Sequence, residues 1–118
     1  MDLASGLILA LTIILILHLL EEIKTGFRFR LPFGKMRLSV FIGINIGIYL
    51  FCAVTLFLSV FGSALAIPLR WIFALVMILN GLGHIGIMAL KRRYFPGGVT
   101  AFLLVPVGIV LLVHLIVV

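Results

Sequence analysis

Two of the chain's three acidic residues, Glu21 and Glu22, stand beside one of its three histidines in the run His18-Leu19-Leu20-Glu21-Glu22. On a helix, Glu21 at i+3 and Glu22 at i+4 both flank the face of His18, so one helix can present an imidazole and a carboxylate to one point. That pairing suits general acid–base work, with Glu21 and Glu22 as the catalytic candidates, or a share in a metal site. The run closes an apolar stretch from Leu3 to Leu20 that is long enough to cross a bilayer. A charged side chain at the centre of such a helix costs about 2.5 kcal/mol or more, so ionisable groups here call for a reason. Adjacent carboxylates lie about 100° apart around a helix and cannot both face inward. Glu22 is the better placed to join His18, with Glu21 freer to reach the membrane interface.

The elements that must position these groups are membrane spans. The chain has 118 residues, 65% hydrophobic and 10% charged, with a mean hydropathy of +1.49. A soluble core of this length cannot hide so much apolar surface. Several apolar runs of about 20 residues predict an all-α integral membrane protein. The formal charge of +6 would suggest nucleic acid in a soluble protein. Here the basic residues sit between apolar runs, where they set topology, so nucleic acid is excluded and the lipid bilayer is the expected partner. The one cysteine, Cys52, lies inside an apolar run and reads as a buried structural thiol. The first run does not read as a signal peptide, because Asp2 replaces a basic start and Glu21-Glu22-Ile23-Lys24 replaces a small-residue cleavage site.

The expected architecture is one domain over residues 1–118, a four-transmembrane-helix bundle with spans at about 3–23, 38–61, 69–91 and 97–118. In the first connection, Phe27, Phe29, Leu31 and Phe33 alternate with Arg28, Arg30 and Pro32. That pattern predicts a segment lying in the interface, aromatics down and basic groups out. Gly43 and Gly47, four apart around Asn45, predict a close helix approach, and Gly62 to Arg70, with Pro68, predicts a turn. Eight of the nine Lys and Arg residues fall in the first and third connections and only Arg70 in the second. The positive-inside rule then puts both basic connections in the cytoplasm and both termini outside, in a multi-pass protein of the cell inner membrane.

This topology lays a ruler along each helix. At about 1.5 Å per residue, His18 lies roughly 9 Å below the basic edge, and His84 and Asn45 each roughly 10 Å below it. Asn80 is one turn deeper, on the face of His84. Gly81, also on that face, would let His84 approach His18. His114 lies roughly 22 Å away, near the other surface. Two imidazoles and a carboxylate from His18, His84 and Glu22 suit a divalent transition metal such as zinc, iron or manganese, with Asn45 and Asn80 in support. A bland alternative keeps His18, His84 and the asparagines as a polar network while both Glu residues snorkel to Lys24 or Arg28.

The assembled motifs resemble the HXXEE family of small membrane proteins, which is named for a motif and not for an activity. His18-Leu19-Leu20-Glu21-Glu22 matches the naming motif, and Asn80-Gly81-Leu82-Gly83-His84 resembles the family's Asn and His on a later helix. Tyr94-Phe95-Pro96-Gly97-Gly98-Val99-Thr100-Ala101 resembles its Tyr-x-Pro-Gly entry into the last helix. The resemblance implies a multi-span helical bundle and points to His18, Glu21, Glu22, Asn80, His84 and Tyr94. By depth alone, Tyr94 reads as an interfacial belt residue, and Thr100 could cap the last helix.

Two functions follow as expectations. One is an intramembrane enzyme with its site near the cytoplasmic leaflet, acting on a lipid-like or other membrane-soluble substrate, with or without a metal. The other is a non-enzymatic bundle, either an accessory subunit of a larger membrane complex or a small carrier or proton-conducting element. Assembly into a homo-oligomer or a larger complex would then matter, because four short helices enclose little space. Neither a broken helix pair nor an inverted repeat is evident, which counts against a transporter.

Overall fold

A computed structural model describes residues 1–118 as four helices, α1 (Leu3–Thr25), α2 (Leu38–Val60), α3 (Ala66–Lys91) and α4 (Gly98–Val117). Each is long and apolar enough to cross a membrane. The long axis of the molecule is 41 Å, close to the full thickness of a bilayer with its head groups.

Helix α1 begins at Asp2, whose carboxylate accepts the Ser5 N–H at 2.9 Å, and ends at Gly26 in the left-handed conformation. Its buried residues Ala4, Ile8, Leu11, Leu15, His18 and Glu22 recur in alternating steps of four and three. That is the inward seam of a helix bundle. His18 and Glu22 are its last two positions, so the packing that buries Leu11 and Leu15 also carries these polar groups inward. Ile13, Ile16, Leu17 and Leu20 of the same helix are exposed on the lipid-facing side.

Helix α4 packs against both α1 and α3, and Phe73, Ala74, Met77, Leu104 and Leu111 join the α1 seam in one core. Gly81 serves the contact with α4 and not an approach toward His18. A Cβ there would lie 2.6 Å from Val105 Cγ2 and 3.1 Å from the Ala101 carbonyl oxygen. The turn expected up to Arg70 is shorter, since α3 already begins at Ala66. Pro68 fits its first turn because the N–H that proline lacks would have no helical partner there. Pro106, inside α4, faces outward.

Helix α2 buries least, with Phe41, Cys52, Thr55 and Ser59 turned inward. The Gly43 and Gly47 pair makes no close approach: a Cβ at either position would meet nothing within 4 Å. Both glycines face the lipid side, and the neighbouring Asn45 ties back to its own helix, its Nδ2 donating to the Phe41 carbonyl at 2.8 Å. At the end of the bundle that carries the termini, Arg70 bonds Asp2 at 3.0 Å and Ser59 at 2.9 Å, and Ser59 bonds Ser5 at 2.6 Å. Hydrogen bonds from Ser5 hold the Asp2 carboxyl below its usual range, and Arg70 adds to the effect.

Candidate metal centre

His18 and His84 meet at the other end, Nε2 to Nε2, at 3.2 Å. Glu22 Oε2 lies 3.7 Å from the first nitrogen and 3.5 Å from the second. All three side chains are buried, with exposures of 2%, 7% and 8% for His18, Glu22 and His84. Each remaining imidazole nitrogen has a partner that fixes the tautomer. His84 Nδ1 lies 2.7 Å from the Pro96 carbonyl oxygen, which can only accept, so Nδ1 carries the proton. His18 Nδ1 lies 2.7 Å from Thr100 Oγ1. The Thr100 hydroxyl proton faces Glu21 Oε1 at 2.7 Å or the Gly97 carbonyl at 3.3 Å, both acceptors. His18 Nδ1 must therefore donate to Thr100. With both imidazoles neutral, both Nε2 atoms are bare lone pairs pointed at each other and at a carboxylate oxygen.

Three lone pairs that converge in a buried place repel unless a cation or a proton sits among them. The separations decide what fits. Four ligands placed tetrahedrally at metal–nitrogen and metal–oxygen distances of about 2.0–2.2 Å are spaced by about 3.3–3.6 Å. The observed 3.2, 3.5 and 3.7 Å bracket that spacing. The tautomer locks are also the outer partners that metal-bound histidines have, a backbone carbonyl for one ring and a hydroxyl–carboxylate pair for the other.

Glu21 is placed differently from the expectation of a base or a free interfacial group. Its carboxylate accepts the Val99 and Thr100 N–H groups at 3.0 and 2.9 Å, the Thr100 hydroxyl, and the Tyr94 hydroxyl. Those two N–H groups are orphans of the first turn of α4, whose own N-cap, Gly97, has no side chain to offer. Glu21 thus caps a neighbouring helix with a charge of the favourable sign. Thr100, expected as the cap, instead links Glu21 to His18. Tyr94 is an anchor for Glu21 more than a belt residue, and partial burial together with that hydrogen bond pushes its phenol above the ordinary range. Neither Glu21 nor Glu22 pairs with Lys24 or Arg28.

The amino-acid pattern does not show that Phe27, Phe95 and Gly97 pack against the histidines. Phe27, in a short 3₁₀ turn over Phe27–Phe29, turns inward from the interfacial segment and covers the centre. Its ring lies 5.5 Å from that of His84 and 5.7 Å from that of Phe95, which itself lies 5.4 Å from His84. Phe29 and Phe33 are left exposed, at 52% and 85%. Gly97 has φ +91°, and a Cβ on it would come within 2.6 Å of Cε1 of both histidines. The Pro-Gly pair preceding α4 was the available clue, since it marks a turn at the level of the site.

Below the centre lies a cavity of about 240 Å³, lined by His18, Glu22, Asn45, Asn80 and His84 together with apolar side chains. Asn45 and Asn80 are half-buried polar points on its wall. A second, apolar recess of about 300 Å³ between α1 and α2 shares Leu19, Phe41, Asn45 and Tyr49 with the cavity. His114 takes no part: it lines a recess with Asp2, Arg70 and Val118 at the opposite end.

No curated protein and no solved structure matches the chain. The model of one family, described as proteins of unknown function with an HXXEE motif, matches residues 9–111. The chain, with its motif at His18, Glu21 and Glu22, belongs to the HXXEE family.

Proposed function

We propose that the protein is an intramembrane enzyme that holds a divalent transition metal on His18, Glu22 and His84 and acts on a membrane-soluble substrate. The observation that carries the reading is the double tautomer lock, which leaves two bare Nε2 atoms and a carboxylate oxygen 3.2–3.7 Å apart. Two imidazoles and one carboxylate suit zinc, iron or manganese. Three protein ligands are the number found in catalytic zinc sites, where a further position is left for water or substrate. A metal held here would act as a Lewis acid toward an oxygen of the substrate or of water.

The chain's own residues do the rest. Thr100 and the Pro96 carbonyl keep the imidazoles aimed, and Phe27 and Phe95 keep bulk water from the centre. Asn45 and Asn80 offer hydrogen bonds to a polar group of a substrate in an otherwise apolar cavity. Glu21 is a positioning residue, because its acceptor capacity is already used on α4 and Tyr94. The apolar recess between α1 and α2 supports entry from the bilayer, hence a lipid-like substrate.

Metal analysis of protein extracted in mild detergent without chelator tests the reading. We expect near-stoichiometric zinc, iron or manganese, lost in Glu22→Gln and His84→Ala and kept in His114→Ala. A folded, metal-free preparation that also takes up none of these ions when they are added would overturn it. The triad would then be a proton-sharing network, as a 3.2 Å nitrogen–nitrogen contact also permits.

A further inference from the structure

A further recess, of about 510 Å³, opens at the basic end beside the candidate metal centre, and its charge has no answer within the protein. Arg30 from the first connection and Lys91 and Arg93 from the third line it together with Tyr94, Phe95 and Pro96. None of these three cations has a carboxylate within 4 Å or a side-chain hydrogen bond to the protein. The contrast is Arg28, which is used structurally: its guanidinium stacks 4.0 Å above the Phe29 ring and donates to the Met36 carbonyl. All three acids are committed elsewhere, Asp2 to Arg70 at the far end, Glu21 to the α4 N-terminus and Glu22 to the histidines.

Topology accounts for a surplus of basic residues on this side, but not for three of them, from two separate connections, around one concavity. Arg92, between Lys91 and Arg93, ends α3 in the left-handed conformation, φ 51° and ψ 37°, and the residues on either side of it both line the recess. Two guanidinium forks and an ammonium are the donor set for a phosphate oxygen cluster, and a dianionic phosphate engages them best.

We infer that this recess binds a phosphomonoester, and that the ligand is the head group of a membrane amphiphile. Its wall is shared with the metal centre through Phe95 and Pro96, so the head would sit against the roof of the centre. The site stands on its own residues whether or not a metal binds to His18, Glu22 and His84.

Binding to the purified protein is measured with inorganic phosphate in detergent, and with protein in phosphatidylcholine nanodiscs carrying a minor fraction of phosphatidic acid or the same fraction of phosphatidylglycerol. Phosphatidic acid should bind about tenfold more tightly than phosphatidylglycerol, and Arg30→Gln or Arg93→Gln should each weaken it by about tenfold. Lys35→Gln, an exposed cation outside the recess, should leave the preference unchanged. Arg30 and Arg93 are exposed, so these variants should fold, and their thermal melting checks that. Saturable binding of inorganic phosphate that Arg30→Gln and Arg93→Gln abolish, without a preference between the lipids, would keep the phosphate site and overturn its assignment to a lipid. Equal binding of both lipids, weakened as much by Lys35→Gln as by Arg93→Gln, would overturn the site and leave only surface attraction.

Discussion

At the scale of single residues, the proposed metal centre depends on groups outside the His18–Glu22–His84 cluster. Thr100 is the plainest case. Its hydroxyl accepts the His18 Nδ1 proton only because its own proton goes to Glu21 or Gly97, so a change at Thr100 frees the imidazole to turn over its tautomer. Thr100→Val should lower metal affinity by roughly 10–100-fold, the usual cost of losing an outer partner of a ligating histidine. Thr100→Ser should restore most of it, because the hydroxyl returns. Competition titration against a chromophoric chelator reads both, and equal affinity of wild type and Thr100→Val would remove Thr100 from the site. Gly97 is constrained twice, by its positive φ and by the two rings that a Cβ would strike. Gly97→Ala should therefore lower both the melting temperature and the metal content. If only the melting temperature fell, Gly97 would matter to the turn alone.

At the scale of helices, the glycines divide into two kinds that spacing alone does not separate. Gly81 lets α3 close on α4, where a Cβ would strike the Val105 side chain at 2.6 Å and the Ala101 carbonyl oxygen, a backbone atom that cannot swing away, at 3.1 Å. Gly81→Ala should lower the thermal stability of the detergent-extracted protein, by about 1–3 kcal/mol for an overpacked contact. Gly47 and Gly43 face open space, so Gly47→Ala should be neutral or stabilising by up to about 1 kcal/mol through helix propensity. Destabilisation by Gly47→Ala in the membrane would mean that a second chain sits on that face. The same division marks the limit of what the amino-acid sequence makes legible. Spans can be read because hydropathy reports length, and depth can be read because a helix rises uniformly, so His18, His84 and Asn45 fall at one level. The facing of each helix cannot be read. In lipid the outward Leu17 and Leu20 are as apolar as the inward Leu11 and Leu15, so the four-three seam of α1 is present but hidden. The partners of the histidines are hidden for another reason. Pro96, Gly97 and Phe27 come from connections, where no periodicity tells which way a side chain or carbonyl points.

At the scale of the whole molecule, the two ends are chemically unlike, and that difference argues for how the protein sits. The end with the termini carries one basic residue, Arg70, neutralised by Asp2 and tied to Ser59. The opposite end carries the other eight, with the Phe27–Phe95 contact holding its two connections together. The distribution of Lys and Arg in short connections sets orientation, so the basic end should face the cytoplasm and both termini the outside. The site then opens toward the cytoplasmic leaflet, where the metal supply and any head group in the basic recess would be met from the same side. Reporter fusions at Val118 and at Lys35 test this directly. An enzyme active only in the cytoplasm should be silent at Val118 and active at Lys35, and a reporter active only outside should show the reverse. A cytoplasmic signal from Val118 would invert the orientation while leaving the bundle and its His18–Glu22–His84 cluster intact, so the metal and substrate proposed for the cluster would have to come from the outer leaflet.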